Sequence, residues 1–84
     1  MSDMYPKHCE KLRMFWEEND FLNEDIIVFV RGAEECLEDG KTAQCVRYIR
    51  RALEELEKIK NIMDGIPPVI AKLEQIKVEI ETLS

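Results

Sequence analysis

The stretch Thr42–Leu83, TAQCVRYIRRALEELEKIKNIMDGIPPVIAKLEQIKVEIETL, decides the fold. In its first arm Cys45, Ile49, Ala52, Leu56, Ile59 and Met63 recur at steps of 4, 3, 4, 3 and 4. In its second arm Val69, Leu73, Ile76, Ile80 and Leu83 recur at 4, 3, 4 and 3. A helix of 3.6 residues per turn brings such positions onto one stripe, so each arm reads as a long amphipathic helix. Asp64-Gly65 stops the first arm. Pro67 and Pro68 forbid its continuation, because each lacks a backbone N–H, and they suit the first turn of a new helix. The pair reads as a helical hairpin, Thr42–Asp64 returning through a helix that ends at Leu83, with Lys72, Glu74, Lys77, Glu79 and Glu81 on a wet outer face.

Ahead of this hairpin, Glu38-Asp39-Gly40-Lys41-Thr42 ends one helix and starts the next. Gly40 suits the left-handed position past a last turn, and Thr42 is an N-cap candidate. The preceding helix is expected over Asn23–Glu38, capped by Asp20 or Asn23, with Glu24 and Asp25 complementing the positive end of its dipole. It contains Ile26-Ile27-Val28-Phe29-Val30, which would suit a buried strand, but the chain offers no second strand to pair with it. As a helix, five successive apolar residues at about 100° each cover its whole circumference. Such a helix needs covering on several sides, which points to a homo-oligomer or an obligate partner. Gly32 inside it costs about 1 kcal/mol relative to Ala, which points to close backbone approach by a neighbouring helix.

At the N-terminal end, Pro6 suits the first helical position, and Tyr5, Cys9, Leu12 and Trp16 follow at steps of 4, 3 and 4 to a helix end near Asn19. Met14 and Phe15 fall beside that stripe, so Met14-Phe15-Trp16 is expected to present apolar surface over more than one face. The expected fold class is all-α: one domain, residues 1–84, forming a small antiparallel bundle of four helices with a short first helix and a long third/fourth hairpin. The second and third helices form its inner pair.

Composition narrows the function classes. The chain of 84 residues is 45% hydrophobic and 36% charged, which suits a folded helical domain. No run approaches the ~18 apolar residues of a membrane span, and Met1-Ser2-Asp3-Met4-Tyr5 lacks the basic and apolar regions of a signal peptide, so a cytoplasmic, membrane-free protein is expected. Three cysteines, Cys9, Cys36 and Cys45, are an odd number without a C-x-x-C pair and read as reduced core thiols. They could supply zinc ligands with His8, but adjacent His8-Cys9 is a poor chelating pair, and no metal or other cofactor is expected. A lone histidine also leaves nucleophilic catalysis without its usual base.

The net charge is −6, and it is unevenly spread: Glu17–Asp39 holds nine acids against the single base Arg31, a local −8. An acidic segment of this kind disfavours nucleic acid and anionic membranes and leaves room for a basic protein partner. The only basic cluster, Arg47, Arg50 and Arg51 around Tyr48, could serve as a nucleic-acid surface but is expected to be a solvated face, with Arg50 and Glu54, Arg51 and Glu55, and Glu54 and Lys58 paired four apart.

Two resemblances bear on function. Ala33–Leu53 resembles a single tetratricopeptide-type helical hairpin at Ala33, Gly40, Cys45, Ile49 and Ala52-Leu53. Without a second copy in the sequence, it implies close packing of the second helix on the third and no peptide groove. Glu34-Glu35-Cys36-Leu37-Glu38 is similar to the E-E-x-x-E pattern of the all-α nucleotide pyrophosphohydrolases. That resemblance implies a Mg²⁺ site completed by Asn61-Ile62-Met63-Asp64, although Asn61 stands where the family's E-x-x-D has Glu. The preferred expectation is a solvated acidic helix end and no enzyme. The chain reads as a non-enzymatic interaction or regulatory module, homodimeric, binding a protein partner through Met14, Phe15, Trp16, Phe21, Leu22, Glu17 and Glu18. The alternatives are the Mg²⁺-dependent pyrophosphohydrolase and an acidic inhibitor that mimics nucleic acid.

Overall fold

The computed structural model describes residues 5–82, with side chains from Lys7 onward. Among the described residues the chain forms four helices and no strand: α1 (Tyr5–Glu18), α2 (Glu24–Glu38), α3 (Thr42–Ile59) and α4 (Ile66–Glu81). The seam position Leu83, the side chain of Tyr5 and the N-terminal residues 1–4 that were read against a signal peptide lie outside the described residues. Among those described, no helix is long and apolar enough to cross a membrane.

The local signals around α2 act as the sequence leads one to expect. Asn23 caps it by accepting the backbone N–H of Asp25 at 3.1 Å, and Glu24 and Asp25 occupy its first turn. At its other end Gly40 takes φ of 78°, while the N–H of Gly40 donates to Leu37 O and that of Lys41 to Cys36 O at 2.8 Å. This pair of bonds is the Schellman closure, which satisfies carbonyls that a helix end otherwise strands. The strand-like run Ile26–Val30 is helical. Thr42 does not cap α3: Lys41 holds the cap position, no side chain bonds there, and Thr42 is the first helical residue.

The hairpin differs from its expectation at the hinge. α3 ends at Ile59 rather than Asp64, because Ile59 O accepts from the N–H of both Ile62 and Met63, closing a tight last turn. The chain then passes through Gly65 at φ 84°, and Ile66 enters fully buried as the first residue of α4, ahead of Pro67 and Pro68. Met63 therefore drops out of the seam and Ile62 is 79% exposed. Along α4 the buried stripe is Ile66, Ile70, Leu73, Ile76 and Ile80, and Val69 lies at its half-buried edge.

The helices pack in a closed ring. The largest contact is α2 with α3; α1 packs on α2, α3 on α4, and α4 also meets α1. Leu12, Phe15, Ile26, Val30, Leu37, Ile49, Leu56, Leu73 and Ile80 meet inside it with no exposed surface. Each large aliphatic buried this way contributes about 1.5–3 kcal/mol. Ion pairs tie the outer edges: Lys11 to Glu79 at 2.6 Å, Glu18 to Lys72 at 3.7 Å and Arg50 to Glu81 at 3.5 Å. The pairs expected along α3 itself do not form. Arg50 reaches α4 instead, and Glu55 takes Lys58 three residues on, at 3.0 Å.

Two consequences for α2 follow. Its apolar circumference is largely covered within one chain, with Ile26 and Val30 in the core, Ile27 and Phe29 half-buried at the flanks and Val28 left 57% exposed. Gly32 is approached by a side chain, the Tyr48 ring, which would lie 3.2 Å from a Cβ placed there.

Candidate functional site

The joint between α1 and α2 is organised around Glu34, the one buried charged residue among those described. One carboxylate oxygen accepts from Trp16 Nε1 at 3.0 Å and the other from Arg13 Nε at 3.3 Å. The thiol of Cys9 points at the Glu34 carbonyl oxygen, 4.0 Å away, and the Arg31 guanidinium lies 5.1 Å from the Trp16 ring centroid. A carboxylate removed from water needs such donors to offset its desolvation. With the Trp16 donor paired and its face covered by a cation, the group locks the register of α1 against α2. Burial, followed by the nearby Glu38 and Glu34, pushes the Cys9 thiol up from its ordinary value.

The seven residues expected to form a partner surface divide between surface and core. Met14 is 49% exposed and Phe21 61% exposed, and Glu17 and Glu18 are exposed beside them in the chain. Trp16 is half-buried, with its N–H committed to Glu34. Phe15 has no exposed surface and Leu22 only 6%, so the expected exposure of Phe15 is corrected. The reason is that α1 has two neighbours. Cys9, Arg13 and Trp16 face α2, Lys11 and Glu18 reach α4, and Phe15 fills the interior between them. Leu22 follows a turn closed by its own N–H to Asn19 O at 3.0 Å, and Asn19 in turn donates its side-chain N–H to Phe15 O at 2.8 Å. These bonds fix the turn from which Phe21 projects.

The acids of the E-E-x-x-E pattern separate. Glu34 turns inward to Arg13 and Trp16, while Glu35 and Glu38 are exposed. Among the described residues no three His, Cys, Asp or Glu side chains gather as metal ligands. Cys45 is fully buried, and burial, with smaller contributions from Cys36 and Cys9, pushes its thiol up to about 12. Cys36 is half-buried, its thiol 3.8 Å from Gln44 Oε1.

A second surface lies where the sequence offers Arg47, Arg50 and Arg51 around Tyr48 as a nucleic-acid surface and prefers an ion-paired solvated face. Phe29 and Tyr48, ring centroids 6.4 Å apart, floor a groove of about 410 Å³ that is also lined by Gln44, Arg47 and Arg51. The arginine cluster was visible in the sequence, but its expected neutralisation by Glu54 and Glu55 hid the surface. Compared with protein-family models, curated proteins and solved structures, the chain matches none of them.

Proposed function

We propose that this protein is a non-enzymatic interaction module, an antiparallel four-helix bundle that forms a homodimer and binds a basic protein partner through the α1/α2 turn. The antiparallel arrangement is supported by the order of the cross-links: Lys11 meets Glu79 and Glu18 meets Lys72, so numbers rise along one helix as they fall along the other. The observation that carries the binding reading is the exposure of Met14, Glu17 and Glu18 towards the end of α1 and of Phe21 on the turn that follows, with Phe15 and Leu22 buried between them in the chain. Large apolar side chains rimmed by charge are the composition of a recognition patch, and a rigid support lowers the ordering cost of binding. Trp16 contributes its edge and holds the patch in place through Glu34. The engagement of Glu34 with Arg13 and Trp16 is why this reading is preferred to a Mg²⁺-dependent phosphohydrolase.

The experiment compares captured proteins rather than merely seeking one. Wild type and the Met14→Asp/Phe21→Asp variant are used as parallel baits, with Ile62→Asp as a control at the α3/α4 turn. A partner retained by wild type and by the control, lost by the double variant and weakened by salt, supports the site. Identical capture by all three refutes it. Incubation with a nucleotide panel and Mg²⁺ or Mn²⁺ is expected to release no pyrophosphate, and turnover lost on Glu38→Gln would replace the interaction reading with the enzymatic one.

A further inference from the structure

The outward side of α2 and the adjoining groove of α3 carry opposite charges. Glu24, Val28, Arg31 and Glu35 follow one another at steps of 4, 3 and 4, all exposed, and so form a single stripe along α2. Beside that stripe the Tyr48 ring rests on Gly32, and Arg47 and Arg51, one helical turn apart, line the same groove as Tyr48. Neither arginine has an ion pair among the described residues, and neither do Glu24 and Asp25. Two free guanidinium groups over an aromatic floor make a site for carboxylates. In a chain of net charge −6, Glu24 on this stripe and the exposed Asp25 next to it in the chain are acids that fit it.

We propose that this face docks a second copy of the chain, with a two-fold axis at Val28 and with Glu24 and Asp25 of each copy set against Arg31 and the Arg47–Arg51 groove of the other. The inference rests on the homodimeric reading and names the surface that reading requires. Its register follows from symmetry. Where α2 crosses its copy antiparallel at Val28, residue 28 + k comes level with residue 28 − k and each flank of the helix stays on its own side of the axis, so Arg31 meets Glu24 of the second copy and Gly32 meets Asp25. Gly32 carries the Tyr48 ring, which brings Asp25 of the second copy to the two arginines. A crossing at the middle of the stripe, between Val28 and Arg31, would set Glu24 against Glu35, carboxylate on carboxylate, which opposes association. Val28, the one residue of Ile26–Val30 that the chain leaves well exposed, is covered at the axis. The molecule measures 43 × 20 × 17 Å, so its long face has room for the ~800 Å² per partner of an ordinary stable interface.

The test uses the full chain and reads mass by sedimentation velocity across a concentration series. Wild type is expected to rise from 9.9 kDa towards twice that value, with weaker association at high salt. Arg47→Glu/Arg51→Glu and Glu24→Lys/Asp25→Lys should each weaken self-association about tenfold or more. An equimolar mixture of the two should recover much of it, because the native acids of one copy then meet the native arginines of the other and the two reversed groups meet each other, with one Arg31 alone left facing lysine. Helix content by circular dichroism checks the fold, and Glu24→Gln/Asp25→Asn should weaken association in the same direction should the lysine variant unfold. A wild type that stays at 9.9 kDa throughout overturns both this face and the homodimeric reading. A dimer indifferent to the reversals, or a mixture that fails to recover, overturns the face alone.

Discussion

Phe15 and Phe21 are two phenylalanines six residues apart that the structure treats in opposite ways, and truncating each to Ala tests the fold directly. Phe15 has no exposed surface and lies in the core between α1's two neighbours, whereas Phe21 is 61% exposed on the turn. Removing a buried phenyl ring loses its transfer free energy and leaves a cavity, about 3–5 kcal/mol together. At about 0.05–0.15 kcal/mol per residue, a chain of 84 residues has a total stability of only about 4–13 kcal/mol. Phe15→Ala therefore removes a large share of it. At about 4–8 °C of Tm per kcal/mol for a domain of this size, the melting temperature should fall by roughly 12–40 °C. Phe21→Ala should stay within about 0.5 kcal/mol of wild type, as surface changes do. Urea unfolding followed by far-UV circular dichroism, with m-values compared to confirm a common transition, measures both. Equal costs for the two variants, or a cost below about 1 kcal/mol for Phe15→Ala, would refute the placement of α1 and with it the support under the recognition turn.

Three further outcomes are expected. Glu34→Gln keeps an acceptor for Trp16 but loses the attraction of Arg13, whose side chain is 52% exposed, so the cost should be about 1 kcal/mol or less. Glu34→Leu, which strands the Trp16 donor, should cost more and redshift the emission of this single tryptophan; an unchanged spectrum would count against the Trp16–Glu34 bond. The hydrogen bond from Lys11 holds the Glu79 carboxyl below its ordinary value, so the stability it lends is present above the unfolded value and disappears as pH falls through the folded one. Carboxyl NMR titration should show Glu79 rising towards 4.5 in Lys11→Met, and no movement would contradict the 2.6 Å contact. Finally, with Cys45 at about 12, only about 10⁻⁴ of it is ionised at pH 8, so a thiol reagent should label half-buried Cys36 first and reach Cys45 only on unfolding. Equal rates at the two sites would refute the burial of Cys45.

How much was legible in the sequence varies by element. Gly40 and Asn23 were readable because each acts through its own backbone or through a neighbour two residues away. The seam Cys45, Ile49, Ala52 and Leu56 was readable because one face of a helix repeats regularly. The same regularity misled at Met63: periodicity places the next apolar position but does not know that burying Ile66 bends the chain away first. Phe15 was misplaced because the 3-4 stripe through Cys9, Leu12 and Trp16 describes a helix with one neighbour, and α1 has two. Of the candidate site, Met14 and Phe21 were identified in sequence as surface residues. The Glu34, Arg13 and Trp16 cluster was not, since its members lie 18 and 21 positions apart on separate helices.

The sequence by itself determined that this chain is helical, with four segments broken at 19–23, 39–41 and near Gly65, because caps, glycine conformation and 3.6-residue periodicity are local properties. Only the tertiary structure decided which charges pair and which stay free. Arg50 left Glu54 for Glu81 on α4, Glu34 turned inward to Trp16, and Arg47 and Arg51 remained open on an aromatic groove. A side-chain charge settles wherever the folded chain brings its nearest opposite. For long, flexible Arg and Glu side chains that partner is set by the packing of helices against one another, which no spacing along a single helix records.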